Sequence, residues 1–177
     1  MANVTERISK LGPIIQNGFV VDDWRKAALH WAERLGVGPF FVLEHVQFDE
    51  CRYRGGPTEI DMSVAIAYTG GYQIELVQQH NDAPSIYTEF LQHNPPGLQH
   101  VGTLVEDLDQ ALDANELRDR IIQDGRTAAG QRFAYVDTIL HNGTMVELIE
   151  ADAEMHKAFA YMREAAEEWD GRDVIRG

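Results

Sequence analysis

One cysteine, Cys51, stands in a chain of 177 residues. A lone thiol excludes an intrachain disulfide framework and a thiolate zinc cluster. Basic residues are scarce too: 15 Lys and Arg against 29 Asp and Glu leave a formal charge of −14. That excess of acid argues against nucleic acid or an anionic membrane as partner. No apolar run approaches the ~20 residues of a membrane span. The opening MANVTERISKLGP has no hydrophobic stretch of the kind a secretion signal carries. The triplets NVT and NGT match a glycosylation acceptor but mean little without such a signal. A cytoplasmic protein is expected.

What is present is enough to fold. Apolar content of 44% describes a globular chain with a sizeable core, either one domain or two small units sharing one. Two stretches echo each other. QNGFVVDDW (residues 16–24) and HVGTLVEDL (residues 100–108) both carry Gly third, Val sixth, an acid and Asp next, then a large apolar residue. Downstream, YQIELVQ (72–78) is matched by TMVELIE (144–150), each centred on a Glu in an apolar run. Two matched pairs in the same order indicate two diverged copies of one unit.

The first unit covers residues 13–79 and reads β-α-β-β-β. Asp22 or Asp23 caps its helix, which places Trp24, Ala28, Trp31 and Leu35 on one face and ends at Gly36. PFFVLEHVQFD, EIDMSVAIAY and YQIELVQ follow as three strands, parted by RGGP and TGG turns. Residues 80–97 form a linker with one short helix, closed by Pro95-Pro96-Gly97. The second unit, residues 98–150, repeats the order: LQHVGTLV, the helix DLDQALDANEL, then DRIIQDG, RFAYVDTIL and TMVELIE. Residues 151–170 predict a C-terminal amphipathic helix with Met155, Phe159, Met162, Ala166 and Trp169 as its stripe, packed on the chain's own body or on a twin subunit. The fold class is therefore α+β, and a homodimer is the expected assembly.

Four polar residues interrupt these apolar strands at matched places: Gln16 and His100, Glu75 and Glu147. Strand side chains alternate between faces, so pairing of the units about a pseudo-twofold axis brings all four to one concave sheet. Buried carboxylates are costly unless compensated, and two together repel. A divalent metal removes both difficulties. Two Glu, one His and a Gln carbonyl suit Zn, Ni, Co, Mn or Fe with water completing the shell. Glu44, Tyr53, His80, Tyr135 and His141 are further pocket candidates, each equally readable as strand or loop filler. His30 reads as a surface residue of the first helix.

Carried by QNGFVVDDW, LGVGPFF, IELVQQHNDAP, FLQHNPPGLQHVG and GTMVELIE, the chain resembles the vicinal oxygen chelate superfamily, the glyoxalase, bleomycin-resistance and extradiol-dioxygenase group. The resemblance spans about residues 13–150. It implies two βαβββ modules forming a cupped mixed sheet around a metal. The quartet Gln16, Glu75, His100 and Glu147 resembles that of animal glyoxalase I. The linker is more similar to that of methylmalonyl-CoA epimerase, whose first ligand position is normally His; Gln16 departs from that pattern. The resemblance implies a metal-dependent lyase or isomerase that removes and returns a proton beside a carbonyl through a metal-bound enediolate. Glu147 would be the base, Glu75 its partner across the metal, and the substrate a small carbonyl compound or thioester. Two alternatives remain: a metal-free small-molecule binding protein of the same fold, and an extradiol-type dioxygenase, which wants two His and one carboxylate on ferrous iron.

Overall fold

A computed structural model describes residues 11–137 and 145–177. In chain order the elements are β1 (Gln16–Val20), α1 (Trp24–Leu35), β2 (Phe40–Leu43), β3 (Phe48–Tyr53), β4 (Gly56–Pro57), β5 (Met62–Thr69), β6 (Tyr72–Gln79) and α2 (Ile86–His93). They continue with β7 (Gly97–Val105), α3 (Leu108–Ala114), β8 (Ile121–Thr127), β9 (Arg132–Val136), β10 (Met145–Glu150), α4 (Ala153–Glu167) and β11 (Ile175–Arg176). The helices start where a side chain satisfies the first free N–H groups. Asp23, Asp107 and Asp152 cap α1, α3 and α4, and Ser85 with Thr88 closes a capping box on α2. Gly36 ends α1 in the left-handed conformation.

All strands join one mixed sheet, in the order β11-β2-β5-β6-β1-β7-β10-β9-β8-β3-β4. The duplication is visible in it. β1 pairs parallel with β6, as β7 does with β10; β5 and β2 flank one pair, β9 and β8 the other. The two halves meet along an antiparallel β1–β7 seam within a single chain. The sheet is an open cup, and among the described residues its two ends do not pair with each other.

The first half departs from the sequence expectation. PFFVLEHVQFD is not one strand: His45 takes a left-handed backbone conformation, φ 51°, and its N–H binds the buried Ser63 hydroxyl. The chain is thereby turned away, and β3 pairs with β8 at the far end of the other half. No local pattern specifies a partner some seventy residues distant. Of the expected strand RFAYVDTIL, β9 covers Arg132–Val136; Asp137 lies beyond the strand, and residues 138–140 lie outside those described.

Three apolar clusters hold the cup. On the outside, Trp24 and Ala28 of α1 pack on Ala65, Ala67, Ile74 and Leu76, while Leu108 and Leu112 of α3 pack on Ala134, Val136 and Leu148. Inside, Val64, Ile66, Val77, Phe133 and Tyr135 face α4, whose Phe159, Met162 and Ala166 pack against them. The amphipathic stripe of α4 therefore roofs the chain's own cup. Among the described residues no helix is long and apolar enough to cross a membrane.

Candidate metal centre on the β1–β7 seam

Register explains how four residues scattered over the sequence come to share one place. Gly18 lies opposite both Glu75 on β6 and His100 on β7; Gly102 lies opposite both Gln16 on β1 and Glu147 on β10. The repeated glycine is thus the centre of each half-site. A Cβ on Gly18 would fall within the His100 ring, and one on Gly102 would collide with Gln16 Oε1. Both positions need the smallest residue because a donor side chain crosses the backbone there.

The register slips beside Gly18, where Phe19 pairs with Leu98 and Gln99 is left as an extra residue. Such a bulge re-aims side chains. Here it lets Gln99 Oε1 reach its neighbour's ring, 2.8 Å from His100 Nδ1. A carbonyl oxygen can only accept, so Nδ1 carries the proton and donates. The other nitrogen, Nε2, points to Glu75 Oε2 at 3.0 Å and to Glu147 Oε2 at 3.4 Å. Single ligand atoms of Glu75, His100 and Glu147 all lie within 4.8 Å of one another.

Gln16 opens on the same cavity. Its amide nitrogen donates to Gln73 Oε1 at 2.6 Å, and Gln73 in turn donates to the Tyr68 hydroxyl at 3.0 Å. That chain fixes the amide so that Oε1 is its free end. Gln16 Oε1 is buried with no hydrogen-bond partner, and the buried Glu147 Oε2 has only the 3.4 Å approach of His100 Nε2. Unmatched buried acceptors are uncommon and expensive.

The electrostatics agree with this geometry. Burial pushes the Glu75 carboxyl up and the charge of Glu147 adds to that, with His100 opposing. Burial pulls His100 down, but hydrogen bonds and charges of Glu147 and Glu75 outweigh it and hold the imidazole at about 9. The spot between the two carboxylates therefore favours positive charge. Three inward-facing oxygens, with His100 Nε2 becoming a fourth donor atom when an ion displaces its proton, fit a divalent cation, and Gln73 and Gln99 orient Gln16 and His100 behind them. Only one imidazole belongs to the group among the described residues.

Above it, the cup and α4 border an open cavity of about 450 Å³. Tyr87 and Tyr135, hydroxyls 2.9 Å apart, stand in its wall, and burial first, then the nearby carboxylates, push both phenols well up. Tyr135 also sets its ring edge-on to His100. Of the other pocket candidates, Glu44 pairs with Arg25 at the surface, Tyr53 binds Glu89, and neither lines this cavity. His80 binds Ser63 Oγ at 2.7 Å and groups with His45 and Asp61 outside the cup. His141 lies outside the described residues. Gln73, Gln99 and Tyr87 were not legible as site residues: a lone Gln or Tyr in a strand or helix carries no signal until its partner is known.

Residues 15–135 match the model of the glyoxalase/bleomycin resistance protein/dioxygenase superfamily. Among solved structures, the chain is similar to methylmalonyl-CoA epimerase from Mycobacterium tuberculosis at 20% identity and a TM-score of 0.57, over 86% of this chain and 99% of that one. It is also similar to a hypothetical protein from Bacillus halodurans C-125 at 17% identity and a TM-score of 0.56, over 79% and 94%. At such identities the likeness is one of fold. No curated protein sequence matches.

Proposed function

The chain belongs to the glyoxalase/bleomycin resistance protein/dioxygenase superfamily, and on that premise we propose that it is a metal-dependent lyase or isomerase moving a proton at a carbon next to a carbonyl. One observation carries this reading: Gln16 Oε1 is buried without a partner and faces the same cavity as Glu75 and Glu147, whose carboxylates meet at His100 Nε2. Gln16, Glu75, His100 and Glu147 would hold the ion, with Zn, Ni, Co, Mn or Fe compatible with their mixed oxygen and nitrogen donors. A divalent ion bound there supplies Lewis acidity toward a carbonyl oxygen.

The residues divide the remaining work. Glu147 takes the proton and returns it, and Glu75 stands across the site from it. Gln73 and Gln99 keep the Gln16 carbonyl and the His100 Nε2 turned inward. Met155, Phe159 and Met162 of α4 give the site an apolar wall above the carboxylates. This proposal takes residues 13–79 and 98–150 as the two modules, 80–97 as linker and 151–170 as the added helix segment.

Proton exchange tests it directly. Hemithioacetals of 2-oxoaldehydes, neutral 1,2-dicarbonyls and α-branched thioesters are incubated in heavy water with metal-loaded protein. Enzyme-dependent deuterium uptake that falls at least a hundredfold in Glu147→Gln is the expected result. No uptake across the panel overturns it.

A second reading, a metal-free binding protein, is favoured by one contact. His100 protonated at Nε2 would by itself bridge Glu75 and Glu147. Metal-free protein that binds ligand as tightly as metal-loaded protein, without exchange, selects this reading.

A further inference from the structure

We propose that the substrate is an uncharged, largely hydrophobic carbonyl compound whose tail lies between the cup and α4. This rests on the carbonyl chemistry proposed for the floor of the same cavity and adds what the walls select.

The groups able to hold a cation together are concentrated at one end. Around Gln16, Glu75 and Glu147 the donors converge; away from them the walls are Val64, Ile66 and Phe133 from the sheet with Met155, Phe159 and Met162 from the roof. Among the described residues that line the cavity there is no Lys, Arg or His. Glu150, Asp152 and Glu154 line it beside the roof helix, each already engaged: Glu150 with Arg132 and the Leu108 N–H, Asp152 with the Met155 N–H, and Glu154 with Lys157. A carboxylate or phosphate on the tail would lose its water without gaining a counter-charge, which is strongly unfavourable. An aryl or alkyl tail gains from the same walls. A volume of about 450 Å³ suits a compact ligand, since small-molecule sites span about 300–1,000 Å³. Met155 and Met162 are two of the roof residues, and their flexible thioethers adapt to varied apolar outlines. The geometry therefore points away from substrates that put carboxylates or phosphates inside the cup, whatever the fold is similar to.

The test separates tail from headgroup. A phenyl 1,2-diketone carrying a para-methyl group and its para-carboxylate counterpart differ only where the tail meets the wall. Binding is measured by isothermal titration calorimetry on wild-type protein, both metal-free and loaded with Co²⁺. The expected result is at least about tenfold tighter binding of the methyl compound in both forms. Met162→Lys, or Met155→Lys if the first variant does not fold by circular dichroism, should narrow or reverse that preference by placing a cation in the roof. Equal or tighter binding of the carboxylate by the wild type, or no binding of either diketone at millimolar concentration, overturns the proposal. So does an unchanged preference in a folded lysine variant. Because the preference is also read without metal and without turnover, a failed deuterium exchange with the preference intact removes the proposed reaction and leaves the substrate class.

Discussion

Gly18 on β1 lies directly opposite His100 on β7, so close that a single methyl group on Gly18 would occupy the space of the imidazole. The contact ties the repeat in the sequence to the chemistry of the site, because the matching glycine, Gly102, makes the same room for Gln16.

Gly18→Ala should therefore damage the site before it damages the rest of the fold. The added methyl forces the ring or the seam to shift, at a cost of about 1–3 kcal/mol. Chemical denaturation should show a loss in that range, together with divalent-ion affinity at least tenfold weaker. Unchanged ion affinity in a folded Gly18→Ala protein would show that the ring does not need this position.

Gln99 acts on His100 through hydrogen bonding alone. Gln99→Leu removes the acceptor 2.8 Å from Nδ1 and leaves the ring free to turn or change tautomer. Outer partners of this kind are worth about 10–100-fold in metal affinity. Competition with a chromogenic chelator should register a loss of that size, and Gln99→Glu, which keeps the acceptor, should recover most of it. Equal affinity in Gln99→Leu would remove Gln99 from the account.

Outside the cup, His45 Nδ1 lies 2.6 Å from Asp61 Oδ1. The hydrogen bond to Asp61, and then its charge, raise the imidazole above its ordinary value. A folded pKa above the unfolded one, near ~6.5, means that the native state holds the proton more tightly. The resulting stabilisation is complete below the unfolded pKa and is lost as pH rises through the folded pKa. Histidine resonances followed by NMR should give His45 a midpoint above that of a free histidine, and Asp61→Asn should bring it down. A midpoint indifferent to Asp61→Asn contradicts the pairing.

The α+β architecture was open to inspection in the sequence because its two halves repeat. Gln16, Glu75, His100 and Glu147 could be picked out since each is a polar break in an apolar strand and each has a counterpart in the other half. Gln73 and Gln99 lack such counterparts, and Gln99 reaches His100 only through a bulge that depends on strand pairing. The repeated glycines were visible, yet their purpose needed the cross-strand neighbour. β3 departs from the expected single strand because its separation from β2 depends on one left-handed residue, His45, and on pairing with β8. The stripe on α4 announced an apolar partner, and the coordinates identify that partner as the inside of the cup.

Equilibrium dialysis against Co²⁺, followed by elemental analysis, tests most directly whether Gln16, Glu75, His100 and Glu147 form one cation site. The account predicts one ion per wild-type chain, with affinity reduced at least tenfold in Glu147→Gln and in Gln16→Leu. Wild-type protein that retains no stoichiometric ion, or variants that retain it as firmly as the wild type, would contradict it.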